Sequence, residues 1–311
     1  MIENLSSSAF GKDRHINSLR SIYDDLRDRL VEDLERGGLS VPDTARKNVA
    51  SALCARLRVA HRSITPRPRI LHWSTELQAR RVTLASELQA LLSLVANELE
   101  KGDDVNQRLT RHYFRAGFND PLLNDLGVHH LHLGRRDDGH DKTRRHIMSG
   151  GGDELLWVTI QPRDVYLLEL LPHHAFNTFD FARVIHRNWK FLLGSPLEGC
   201  SIDEATIRTA EQRATLRNAG FSTPLSIDGE VFFTSLIMSD GTSVEVARRA
   251  DAMLNGVREL YEWIEANFAS MLTRMEGREP SELHFTVGDL DAFVLGNISL
   301  VDQKSGLVVL P

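Results

Sequence analysis

Residues 154–174 read ELLWVTIQPRDVYLLELLPHH. Two runs rich in Leu, Val, Ile, Trp and Tyr flank the four residues QPRD. Pro162 presets a turn dihedral, and Asp164 offers a carboxylate that bonds turn backbone. The composition predicts two antiparallel strands closed by a tight turn. The pattern continues upstream. GVHHLHLG, residues 127–134, reads as a third strand, because its side chains alternate between two faces. His129 falls with Leu131 and Leu133, and the leucines mark that face as core. His130 and His132 fall with Val128 on the other face, which predicts that both turn toward solvent or a cleft. Downstream, FNTFDFARVIHRNWK (176–190) has helical spacing. Asn177 or Thr178 stands at its cap, and Phe181, Val184, Ile185 and Trp189 form its apolar side.

Around this unit the texture differs. Residues 1–115 read as mainly helical. One helix is expected over 14–36, stopped by Gly37 and Gly38. A second is expected over 42–62, and a third starts after Ser74 and reaches Glu100. A short strand, RPRILHWS (67–74), lies between the last two. After residue 195 come a polar helix over 202–218, a strand GEVFFTSLIM (229–238), and one long helix from Thr242, where Thr242 and Glu245 have capping-box spacing. ELHFTVG, DAFVLG and GLVVLP read as short strands. The expected fold class is α+β in three sections: 1–115 helical and basic, 116–195 a His-rich unit with a small antiparallel sheet, and 196–311 an acidic α/β region.

Charge supports this division. The net charge is −6, with 37 basic and 43 acidic residues. Within residues 44–81 there are nine basic residues and one acid, whereas the last third is strongly acidic. No apolar run reaches membrane length, so no membrane span is expected. The first residues lack a basic-then-apolar export pattern. Cys54 and Cys200 do not make a disulfide framework. A cytoplasmic setting follows from these features. The long helix offers a broad apolar side that would serve as core or as a homodimer seam, and the acidic region suits a protein partner or a cover for the basic front.

Nine of the thirteen histidines lie between His112 and His186. Imidazole titrates near neutral pH, so histidines beside arginines can transfer protons and stabilise phosphate transition states. His130, His132 and His174 are the expected acid–base groups, with Arg136, Arg144 and Arg145 holding phosphate from the loop 134–152. No cofactor is required by this reading. The alternative is a metal hydrolase in which His130, His132 and His173 bind a transition metal, with Glu169 and His186 as further ligand candidates. Arg56, Arg58, Arg62, Arg67, Arg69 and Trp73 are expected to contact RNA or other nucleic acid through charge and stacking. A third reading is a non-catalytic nucleic-acid-binding or assembly protein.

The order of a strand ending in HHLHLG, a loop, the hairpin 154–174 and a short helix resembles the sheet core of the RelE-type bacterial ribonuclease toxins, over residues 125–190. The resemblance implies metal-independent cleavage of mRNA, of toxin or phage-defence type, with His174, Arg136, Arg144 and Arg145 in the active centre. The segment LLNDLGVHHLHLG with HRNW is also similar to a group of bacterial proteins with no established activity.

Overall fold

The structure is a computed structural model. It describes residues 16–136, 148–149, 153–172, 175, 180–202, 209, 211–212, 215–216, 219, 221, 223–233, 237–274 and 283–310. The fold is α+β. Packing groups the chain into two units, one of residues 1–57 with 248–311 and one of residues 58–247. This grouping cuts across the three compositional sections, which describe charge along the chain.

The continuous unit is built on a four-stranded mixed sheet. Its strands are β1 (Ile70–Trp73), β2 (Val128–His132), β5 (Glu154–Ile160) and β6 (Asp164–Pro172), in the order β1-β6-β5-β2. The hairpin expected from residues 154–174 is present: β5 and β6 pair antiparallel, and Gln161 N donates to Asp164 O at 2.8 Å across the turn. The ladder slips between Trp157 and Val158, which inserts an extra residue on β6. β2 pairs antiparallel with β5, and β1 pairs parallel with β6. β1 comes from the basic front, so the sheet draws on two compositional sections.

Both faces of this sheet are covered. Leu131, Leu133, Leu156, Val158, Val165, Leu167 and Leu170 pack on one side with Leu91, Leu92, Val95 and Leu99 of the helix α5 (Ser86–Lys101). Val128, Leu155, Trp157, Tyr166 and Leu168 pack on the other with Leu122 and Leu126 of α6 (Pro121–Leu126) and with Phe181, Ala182, Val184 and Ile185 of α7 (Asp180–Trp189). A two-residue pair, β3 (Arg135–Arg136) with β4 (Met148–Ser149), and a hairpin, β7 (Leu225–Ile227) with β8 (Glu230–Phe232), complete the strands of this unit among the described residues. Of the strand expected over 229–238, Glu230–Phe232 form one arm of a hairpin turned at Asp228–Gly229, where both residues have positive φ, and residues 234–236 lie outside the described residues.

The other unit joins the two ends of the chain. α1 (Leu19–Arg36) starts at Ser18, whose hydroxyl accepts from Ser21 N, and buries Ile22, Leu26, Leu30 and Leu34. It packs on a three-stranded antiparallel sheet of β9 (Phe285–Val287), β10 (Leu300–Asp302) and β11 (Val308–Val309), in the order β11-β10-β9. Asn17 bonds both ways with the backbone of Phe285, and Arg29 donates to the carbonyls of Val287 and Gly288.

Several expected elements are corrected. The helix expected over 42–62 is broken into α2 (Asp43–Lys47) and α3 (Val49–Arg62). Asn48 is extended at the break and its Oδ1 accepts from Ser51 N at 3.0 Å, so a residue that satisfies the first turn of a new helix ends the old one. Ser74 caps as expected, accepting from Leu77 N, but the helix there is α4 (Thr75–Arg81), separated from α5 by residues 82–85. The long helix, α8 (Val244–Arg274), starts after Ser243, which accepts from Glu245 N; Thr242 instead accepts from Arg58. DAFVLG forms most of a short helix, α9 (Leu290–Val294), capped by Asp289, while the strand β10 lies in NISLVD. The cap expected at Asn177 or Thr178, and most of the polar helix expected over 202–218, lie outside the described residues.

Candidate functional site

The expected centre is not assembled among the described residues. His174, His173, Arg144 and Arg145 lie outside them. Arg136 lies on β3, beside Met148 of β4. His130 and His132 do share a face, with ring centroids 6.0 Å apart. That face is not open at His130, however. His130 is 6% exposed and its ring lies 5.7 Å from that of Trp157, which itself stacks on Phe181 of α7. The reason is the second layer. Alternation assigns the two faces correctly, but α7 covers the face that was expected to look outward. His132, nearer the strand end, is half-buried. His129 is buried on the α5 side; burial first, then nearby His61, His130 and Arg69, pulls its ring down to about 3.

The basic front is also redirected inward. Arg62 is 4% exposed and donates to the carbonyls of Tyr113, Arg115 and Phe118. Its burial brings the guanidinium down to about 10. Arg69 is buried and donates to the carbonyls of Thr65, Arg67 and Gln161. Arg56 pairs with Asp33 at 2.7 Å, and Arg58 pairs with Asp240 at 2.9 Å. Trp73 lies on the α5 side of β1 under the guanidinium of Arg81, 5.1 Å from its ring centroid. Guanidiniums committed in this way tie loops together and are not offered to phosphate. Of the five arginines expected to bind nucleic acid, Arg67 alone is exposed and without a described ion pair.

A different group of residues meets at the end of the sheet where the parallel strands β1 and β6 begin. His72 of β1 is paired in register with Tyr166 of β6. Its Nε2 lies 2.7 Å from Asp164 Oδ1. An ionised carboxylate only accepts, so Nε2 carries the proton and donates. In the neutral ring Nδ1 is then the acceptor, and no hydrogen bond to it is made among the described residues. The His72 side chain is 36% exposed. Its ring stacks on Tyr166 at 4.8 Å and 16°. Trp189 and Phe191 meet the same Tyr166 ring edge-on, at 5.0 and 5.9 Å. Burial, with Asp164 adding to it, pushes the Tyr166 phenol up, so it stays protonated. Phe191 is 66% exposed on the 3-10 turn Lys190–Leu193 that ends α7. Two exposed arginines root at this end of the sheet. Arg163 gives its carbonyl to Ile70 N at 2.9 Å, and Arg67 gives its carbonyl to Arg69. Neither Arg67 nor Arg163 has an ion pair among the described residues.

The other described histidine–carboxylate pair is closed. His186 of α7 has Nε2 2.8 Å from Glu230 and Nδ1 3.5 Å from Asp228, so carboxylates face both nitrogens. Lys190 shares Glu230 at 2.5 Å and, with His186, holds that carboxyl below its ordinary range. Glu169, on the α7 face of β6, is pushed up by burial against the opposing Leu170 N–H and Arg80. No group of three or more His, Cys, Asp or Glu side chains is placed to hold a metal ion among the described residues. No helix in them is long and apolar enough to cross a membrane.

Sequence reasoning passed over His72 as chemistry because it counted histidine density. His72 stands alone in its run, and its partner lies 92 residues away. The available signal was the turn acid Asp164 beside a register that only the parallel β1–β6 pairing fixes. No family model, curated protein or solved structure matched the chain.

Proposed function

We propose that this protein is a metal-independent ribonuclease-like enzyme whose proton-transferring group is His72. The observation that carries the reading is the division of the His72 ring: one nitrogen bound by Asp164, the other an open acceptor on a partly exposed surface. Asp164 fixes ring orientation and tautomer, which is the role an orienting carboxylate has beside a general base. In the step envisaged, Nδ1 takes the proton of a ribose 2′-hydroxyl. The 2′-oxygen bonds to phosphorus as the bond to the 5′-oxygen breaks, and the proton returns to that leaving oxygen. Arg163 and Arg67 supply positive charge for the phosphate. This places the chemistry away from His130, His132, His174, Arg136, Arg144 and Arg145, which the sequence alone favoured.

The test is cleavage of a labelled RNA by the full chain in the presence of a chelator. His72→Ala is expected to lower turnover by about a hundredfold or more, and Asp164→Asn to lower it less, with RNA affinity retained in both. Unchanged turnover in His72→Ala removes the assignment. Loss of all activity on chelation favours the metal reading instead. A second reading, nucleic-acid binding without turnover, is favoured by the sheet order: the His130–His132 pair lies on β2, the opposite edge strand from His72 on β1, so neither gives His72 a second proton-transferring imidazole. It predicts salt-sensitive RNA binding and no product.

A further inference from the structure

We infer that Phe191 is a stacking platform for an unpaired base, so that the strand held at this site is single-stranded RNA. The inference rests on the functional reading above for the identity of the surface, but it concerns recognition and not chemistry.

Phe191 is a large apolar ring left 66% exposed where a polar residue would cost nothing. It does not stand by itself. Tyr166, which is almost fully buried, meets Phe191 edge-on and His72 face-on. The rings of Phe191 and His72 therefore cannot lie farther apart than these two contacts laid end to end. Tyr166, itself met edge-on by Trp189, supports the Phe191 ring from one side and leaves most of it exposed. A base stacked on that face brings its own backbone toward the His72 ring and toward the end of the sheet where Arg67 and Arg163 are rooted. Stacking on an exposed ring requires a base free of its helix, because paired bases in an RNA duplex offer only their edges. Arg67 and Arg163, without an ion pair among the described residues, complement the phosphates of such a strand, whereas the apolar ring gives no reason for an acidic peptide to choose this place.

The experiment uses the full-length protein and a fluorescently labelled 2′-O-methyl oligouridylate of roughly twelve nucleotides, long enough to fill a site of this kind. Methylation removes the attacking hydroxyl, so affinity is read without turnover. Anisotropy is expected to show binding of the single strand at least tenfold tighter than of the same strand annealed to its complement. Phe191→Ala is expected to weaken the single strand by about tenfold, and Phe191→Trp to restore it. Arg163→Ala is expected to lower the slope of log affinity against log salt by roughly 0.7. Affinity unchanged in Phe191→Ala, or a duplex bound as tightly as the single strand, overturns the inference. The two proposals fail separately. Phe191-dependent binding with no cleavage of unmodified RNA sinks only the catalytic reading, and cleavage that ignores Phe191 sinks only the platform.

Discussion

Arg62 shows how a residue that looks like surface charge can be structural. Its guanidinium replaces water for three backbone carbonyls of the segment 113–118, where no regular ladder is available to satisfy them. Arg115 O also accepts from Phe118 N at 2.9 Å, so Arg62→Met is expected to leave the Tyr113 and Phe118 carbonyls without their donor and to lower stability by about 3 kcal/mol. Urea unfolding followed by circular dichroism measures this, and Arg67→Met, at an exposed position, is the matched control with little change. The histidine density near residue 130 pointed to one edge of the sheet, yet the partly exposed His72 is on the other edge strand. A side chain's access depends on what covers the face it occupies. Alternation identifies the face of His130 from Leu131 and Leu133, but not the helix laid over it.

At the scale of elements, helix interiors and the hairpin were legible, and breaks were not. Ile22, Leu26 and Leu30 recur at helical spacing and are buried in α1. The turn QPRD closes β5 to β6 because proline and aspartate satisfy it locally. The interruption at Asn48 leaves the apolar spacing almost undisturbed, so periodicity runs straight through it. Its signature was only a residue that prefers a cap. Asn48→Ala is expected to cost about 1 kcal/mol through the lost bond to Ser51 N, read from the midpoint of chemical unfolding. DAFVLG illustrates the opposite error. Its apolar residues fit a short strand or a single helical turn equally well, and the decision falls to Asp289, whose carboxylate accepts from Ala292 N at 2.7 Å. Gly102 ends α5 in the left-handed region at φ 83°, and a Cβ there would stand 2.2 Å from the carbonyl carbon of Arg67. Gly102→Ala is expected to destabilise by about 3 kcal/mol or more, since backbone strain and a backbone clash add. Gly229→Ala meets no atom within 4 Å and is expected to cost less.

For the whole molecule, buried imidazoles set the response to acid. The His129 ring is held neutral in the fold, far below its ordinary value, whereas the unfolded chain protonates it near pH 6.5. The folded pKa is the lower one, so the unfolded state binds the extra proton between about pH 3 and 6.5. Stability is therefore full above that window and falls as pH drops through it, by at most about 1.4 kcal/mol per pH unit for this one group. His61 is lowered too, again chiefly by burial, and acts in the same direction. Asp120, raised by burial, acts in the opposite sense above its ordinary range. His129→Gln isolates the first contribution: the difference in unfolding free energy between this variant and the parent is expected to shrink as pH falls from 7 toward 5. A difference independent of pH would show that His129 is not buried neutral.

The unit that joins both chain ends has a consequence for synthesis. α1 is complete at Arg36, but β9, whose strand and carbonyls receive it, begins at Phe285. At ordinary elongation rates the ribosome needs on the order of ten seconds or more to span that gap. Throughout it, the stripe Ile22, Leu26, Leu30 and Leu34 has emerged with no sheet to close over it. The nascent chain is thus obliged to shelter α1, by transient association or by a holding chaperone, and any product that ends before Phe285 can never bury that stripe on its intended strands.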